Sequence, residues 1–318
     1  MSLKSLRDEY RATLKSKDTE ETIDLLFYRP IGFAWAKLCA AVGITPNVIT
    51  IASIFIGVAA GVMFYFDNLW YNVIGMLLLI WANSFDSADG QLARMTKQYS
   101  RLGRILDGVS GDLWFVTIYF AICFRMIQCV NDPLVGDLFV QHHWIIWAIA
   151  IVAGICHAKQ AAMADYYRQF HLYFLKGKEG SELERVELLD AKLSRMSWRK
   201  EFGAKLVLFF YRNYTANQES MTPAMQTFRR ELRERYGEEL PQELRDDFRR
   251  ASLPLMKYTN WLSFNMRTIT LFIALFCRVP WCYFVAEIVI FNALLIYMWR
   301  RHEAICRRFI NSIKQQAV

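Results

Sequence analysis

The sequence predicts an all-α, polytopic membrane bundle of six transmembrane helices, with an N-terminal juxtamembrane amphipathic helix and a helical cytoplasmic insertion between spans four and five. Three observations lead there. Hydrophobic residues make up 54% and aromatic residues 15% of the 318 positions, with only seven prolines, a balance that suits apolar helices. Apolar runs of about 20 residues, the length that crosses a bilayer, fall at roughly 49–66, 70–88, 107–128, 144–163, 258–277 and 280–299. Between them Lys and Arg are unevenly placed. The turn at Asp67 and Asn68 and the stretch from Gln128 to His143 contain none, and Arg278 sits alone in the third outside turn. The N-terminal arm, the connection with Arg94, Lys97, Arg101 and Arg104, the stretch after Tyr166 and the tail Arg300–Lys314 are rich in both. The positive-inside rule therefore puts both termini and the Arg94 connection on the cytoplasmic side.

Taken in order, the chain divides into an arm at 1–48, spans one to four at 49–166, an insertion at 167–256, spans five and six at 257–299 and a basic tail at 300–318. Residues 1–27 alternate opposite charges at helical spacing and read as a solvated helix. The following stretch, with Phe33, Trp35 and Leu38 apolar and Arg29 and Lys37 polar, reads as an amphipathic helix on the membrane surface that stops at Gly43. Thr45-Pro46 then opens span one as an N-cap followed by proline. In the insertion, Thr222-Pro223 starts a helix with Met225, Phe228, Leu232 and Tyr236 on one face and Gly237 at its end, and a second helix follows Pro241. The run Ala204–Tyr214 is too short to span and reads as interfacial.

The formal charge of +8 borders membrane spans, where anionic headgroups and topology account for it, so no nucleic-acid partner is expected. The first 25 residues are charged and lack the apolar core of a cleavable signal. Seven cysteines show neither metal spacing nor a disulfide framework. Cys277 and Cys282 are close enough in sequence to pair, with unpaired packing residues the simpler reading.

The chemistry concentrates between Asp86 and Asp112. Asp86 and Asp89 project from nearly one helix face, about 60° apart, as two metal ligands or an acid and a base would need. Gly90, Ala93 and Gly103 leave room for a bulky ligand, Arg94 offers a fork for phosphate, and Asp107 adds a carboxylate from the next helix. Carboxylates meeting at a membrane edge repel unless a divalent cation sits among them. Further polar residues gather near the cytoplasmic end of span four, namely His157, Lys159, Gln160, Asp165 and Arg168, where a polar acceptor could be held. Arg267 lies about 15 Å into span five, where a charge marks either function or a structural pair with Glu287.

Asp86, Asp89, Gly90, Ala93, Arg94, Gly103 and Asp107 resemble, without a gap, the CDP-alcohol phosphotransferase pattern D-x2-D-G-x2-A-R-x8-G-x3-D-x3-D. The final Asp of that pattern falls on Gly111, and the nearest carboxylate is Asp112. The resemblance implies two divalent ions, Mg2+ or Mn2+, on Asp86, Asp89, Asp107 and a shifted Asp112, with Asp107 and Asp112 catalytic. It also implies a nucleotide held near Asn47, Thr50, Gly90, Ala93, Arg94 and Gly103, while the polar residues themselves offer His157, Lys159, Arg168 and Arg267 to bind an acceptor. The implied reaction moves the phosphatidyl group of a CDP-linked lipid donor, CDP-diacylglycerol, to a polar alcohol acceptor, an inositol phosphate first, with release of CMP. A homodimer among membrane lipids is expected. Glycerol phosphate and serine are other acceptors, and a CDP-ethanolamine or CDP-choline donor with a lipid alcohol is the reverse arrangement. An inactive scaffold, an ion-binding transporter and an intramembrane aspartyl protease are the readings from other classes. On a regular helix Asp112 would point about 140° from Asp107, so a π-bulge or local unwinding at Ser110-Gly111 is predicted to bring it back, with the base role passing elsewhere, as to His157, if the helix is regular.

Overall fold

A computed structural model describes residues 3–14, 16, 18–128, 134–177, 183–237 and 239–315, and all regular structure among them is helical. The chain forms two compact units, residues 1–155 with 264–289 and residues 156–263 with 290–318.

In the first unit, α1 (Leu3–Ala12) is followed by a π-helical turn at Asp24–Tyr28 that runs straight into α2 (Arg29–Ala41). The expected single solvated helix over 1–27 is therefore broken. Thr13 is 2% exposed, Tyr10 packs edge-on against Phe33 at 5.4 Å, and the Tyr10 hydroxyl donates to the Leu25 carbonyl at 3.3 Å. These contacts fold the arm onto α2, which local charge alternation alone does not reveal. The chain leaves α2 through Gly43 at φ 74, the left-handed conformation for which glycine is suited.

Helix α3 (Pro46–Met63) begins with proline at N1 after an extended Thr45, whose hydroxyl makes no cap bond. Asn68 caps α4 (Leu69–Thr96) by accepting from the Trp70 N–H at 2.9 Å, and Ser100 caps α5 (Arg101–Met126) by accepting from the Gly103 N–H at 2.8 Å. Small residues let these three helices approach closely, as helices in lipid do. A Cβ on Gly57 would lie 2.2 Å from the Trp114 ring, and one on Gly75 would lie 2.9 Å from the Ala60 carbonyl. Trp114, Ile118 and Ile122 lead the core, joined by Phe139 of α6 (Gly136–Gln141), Ile146 and Ala153 of α7 (His143–Lys176) and residues of two later helices.

The second unit takes the rest of α7, then α8 (Val186–Arg195), α9 (Phe202–Ser220), α10 (Pro223–Tyr236) and α11 (Gln242–Trp261). After α12 (Phe264–Phe276) and α13 (Cys282–Ile288), which belong to the first unit, α14 (Ile290–Gln315) completes the second. Met225, Phe228 and Leu232 are buried along α10, which ends at Gly237 with φ 67. The expected interfacial run 204–214 is part of the 19-residue α9. Phe228, Phe248, Phe309 and Phe174 form an aromatic core, Phe174 stacking on Phe248 at 4.0 Å. The Glu303 carboxylate accepts from the N–H groups of Ala224 and Met225 at 2.8 and 3.2 Å and so caps α10 from α14.

Among the described residues, four helical stretches are long and apolar enough to cross a membrane: Pro46–Met63, Leu106–Met126, His143–Lys176 and the joined Cys282–Gln315. They coincide with the first, third, fourth and sixth expected spans. Helix α4 has the length, at 28 residues, but Asn72, Asn83, Ser84 and Asp86 dilute its apolar character. The stretch expected as span five is divided at Leu262 and Ser263, leaving α12 with 13 residues, about 20 Å of helix. Cys277 is an exposed thiol, and no disulfide joins it to Cys282.

Candidate active site

The last turns of α4 and the first turns of α5 bring three carboxylates together. Asp86 and Asp89 leave α4 one turn apart and Asp107 comes from α5, with ligand oxygens all within 4.8 Å of one another. Asp89 is 5% exposed, Asp86 partly buried and Asp107 exposed. Thr50 of α3 donates its hydroxyl to Asp89 Oδ2 at 2.5 Å. Ser110 Oγ lies 3.0 Å from Asp86 Oδ1 and 2.8 Å from the Asp107 carbonyl, so its single proton serves one acceptor at a time. Burial, and then the neighbouring charge of Asp86, push the Asp89 carboxyl up to about 8, against the Thr50 hydrogen bond. Three hard oxygen donors this close, one of them driven toward its neutral form, are a donor set that fits a divalent cation.

Ser100 donates to Asn47 Oδ1 at 3.0 Å, and a Cβ on Gly103 would stand 2.5 Å from that same oxygen. Gly103 is thus required where α3 and α5 meet. Gly90 faces the Arg94 guanidinium, 3.4 Å from where a Cβ would be, and Ala93 is half-buried.

Residues 43–169 match the family model described as CDP-alcohol phosphatidyltransferase. This stretch is similar to a CDP-alcohol phosphatidyltransferase domain. It contains the whole carboxylate cluster, Asn47 and Gly103, two of the four stretches able to cross a membrane and most of a third, and the chain is an integral membrane protein. Archaetidylinositol phosphate synthase of Pyrococcus horikoshii is 35% identical over 86 residues, which are 27% of this chain and 44% of that relative. The chain spans less than half the length of that curated relative. No solved structure matches.

Within the matched stretch, Arg94 is already partly engaged. Its Nε donates to the Thr13 carbonyl at 2.6 Å, while the buried Nη2 has no hydrogen-bond partner among the described residues. Burial, then the adjacent Arg29, lower its pKa from the ordinary value. Gln91 Nε2 donates to Thr13 Oγ1 at 3.3 Å and to the Arg29 carbonyl at 3.1 Å, and Arg29 pairs with Glu20 at 3.1 Å. The arm therefore lies against the α4 face that carries Arg94.

The expected bulge at Ser110-Gly111 is absent, because α5 is continuous α-helix from Arg101 to Met126. Gly111 finds nothing within 4 Å of an added Cβ, so no packing forces the helix to unwind there. Asp112 is exposed and stands outside the cluster of Asp86, Asp89 and Asp107. On this regular helix Asp112 lies about 140° around the axis from Asp107.

The acceptor candidates separate. His157, Lys159 and Arg168 belong to the second unit, where Arg168 Nη2 donates to Asn260 Oδ1 at 3.3 Å and Lys159 is exposed. Arg267 belongs to the first unit, is 1% exposed and pairs with Glu287, which also accepts from the Tyr283 hydroxyl at 2.6 Å. Its guanidinium thus neutralises a buried carboxylate, the structural alternative that the sequence offers. Sequence reading missed Ser110, Thr13 and Gln91. Only the hydroxyl one turn after Asp107 carried a signal for Ser110.

Proposed function

We propose that this chain is a CDP-alcohol phosphotransferase that moves the phosphatidyl group of CDP-diacylglycerol to a hydroxyl of a small polar acceptor, an inositol phosphate first, and releases CMP. The convergence of Asp86, Asp89 and Asp107 inside the matched stretch carries this reading. The name of the Pyrococcus relative supports the choice of acceptor.

In this reading Asp86, Asp89 and Asp107 hold the divalent ion or ions, Mg2+ or Mn2+, with Thr50 and Ser110 orienting the first two carboxylates. Bound there, the metal neutralises the diphosphate oxygens and the charge that develops on the leaving CMP. Gly90, Ala93 and Gly103 let the nucleotide approach the backbone, Asn47 and Thr50 lie near it, and the free Nη2 of Arg94 offers a phosphate donor. Asp107, the exposed member of the cluster, takes the proton of the acceptor hydroxyl at its carboxylate. For acceptor binding, Lys159 and Arg168 remain candidates on sequence grounds.

We place the motif, the insertion and both termini on the cytoplasmic face of a six-span homodimer, on the charge asymmetry of the loops. The test is CMP release by purified protein given CDP-diacylglycerol with Mg2+ or Mn2+ and, separately, inositol phosphate, inositol, glycerol phosphate or serine. Release with inositol phosphate and its loss in Asp89→Ala are expected. No release with any pairing, or undiminished release from the variant, overturns the proposal.

A further inference from the structure

The second unit contains a cavity of about 360 Å3 whose walls come from α7, the segment leading into α8, α9 and α10. Four arginines line it, Arg185, Arg229, Arg230 and Arg233, against two glutamates, Glu187 and Glu219. Glu219 is already committed to Arg229 at 3.3 Å, and Arg229 is further fixed by the Tyr166 hydroxyl at 3.1 Å. Glu187 is 79% exposed and reaches Arg185 at only 3.7 Å, a pairing that solvent largely screens. Arg230 and Arg233 are exposed and make no ion pair among the described residues.

Arg229 and Arg233 are one turn apart on α10, where like charges repel. Their guanidinium planes share the cavity with an apolar wall of Leu183, Leu188 and Leu232. A multidentate anion relieves that repulsion, and guanidinium forks match phosphate oxygens in geometry and charge. The volume suits a small organic ligand rather than a lone inorganic ion.

We propose that this cavity binds a phosphate-bearing anion with an apolar or ring portion, gripped by Arg185, Arg230 and Arg233 while Arg229 stays anchored on Glu219. It uses none of the residues assigned to the carboxylate cluster and gives the insertion a ligand of its own. The anion is either a soluble phosphate ester or the headgroup of an anionic lipid.

Hydrogen exchange of the full-length protein tests this, read at residues 183–190 and 226–237. One arm adds inorganic pyrophosphate, without divalent metal, to protein in phosphatidylcholine nanodiscs. The other arm moves the protein into phosphatidylglycerol nanodiscs. Protection is expected in at least one arm, the first indicating a soluble ligand and the second a headgroup. In Arg230→Gln/Arg233→Gln, checked for an unchanged unfolding temperature, the pyrophosphate affinity or the lipid protection should fall about tenfold or more, as for loss of two charged hydrogen bonds. Absence of protection in both arms, or protection that the double variant retains in full, overturns the proposal.

Discussion

Asp89 is the residue on which the site's electrostatics turn. Its carboxyl is raised from 3.8 to about 8 by burial and by Asp86, so the fold without metal favours the protonated form. The sign follows directly. A proton held more tightly in the folded state stabilises the metal-free protein most at low pH, and that stability is lost as pH rises toward about 8. A metal must displace the same proton. Metal binding at pH 7 should therefore release about one proton per site, and apparent affinity should fall about tenfold per unit as pH drops below 8. Calorimetry in buffers of different ionisation enthalpy measures both, and pH-independent binding would remove Asp89 from the ligand set. Asp112 makes the contrasting case. Because α5 is regular, Asp112→Asn should keep CMP release within about tenfold of the parent, while Asp107→Asn should reduce it by about a thousandfold or more. Equal losses in the two variants would give Asp112 the base role.

At the scale of elements, the site depends on how α3, α4 and α5 close on one another. Thr50 reaches Asp89 only because α3 packs against α4, and Asn47 meets Ser100 only because the glycine at 103 admits it. A second junction joins α12 to α13 through Arg267, Glu287 and Tyr283, all at most 1% exposed. Removing one partner of such a buried pair costs about 3–5 kcal/mol, whereas removing both leaves no stranded charge. Arg267→Met should therefore unfold at markedly lower denaturant than the parent, and Arg267→Met/Glu287→Met should recover most of the loss. If the double variant regains stability and also keeps the acceptor KM, the pair is structural. An acceptor KM that rises in the refolded double variant would return Arg267 to the acceptor.

At the scale of the whole molecule, the charge pattern makes a sided prediction. Cys277 is exposed and free, and it precedes the turn expected outside the cell. A membrane-impermeant maleimide should label it on intact cells, while a cysteine added after Val318 should react only once the membrane is opened. The reverse pattern would invert the topology. Much of the architecture was legible in advance because membrane helices are local: length, apolar content and loop charge are properties of single stretches. Likewise Asp86 and Asp89 were legible because 3.6-residue periodicity sets which side chains share a face, and Asp107 because it falls in place in the pattern that the stretch resembles. Where a second element decides, the local reading failed. The arm at 1–27 is broken because Thr13 and Tyr10 find partners on α4 and in the turn before α2, and the stretch 258–277 is interrupted at Leu262 and Ser263. The bulge expected at Ser110-Gly111 has no packing to drive it. By itself, then, the sequence determined the helical class, the apolar stretches and the three carboxylates that meet. The tertiary structure decided which hydroxyls orient those carboxylates, where Asp112 points and that Arg267 answers Glu287, because each depends on partners from separate helices or distant turns that chain spacing cannot specify.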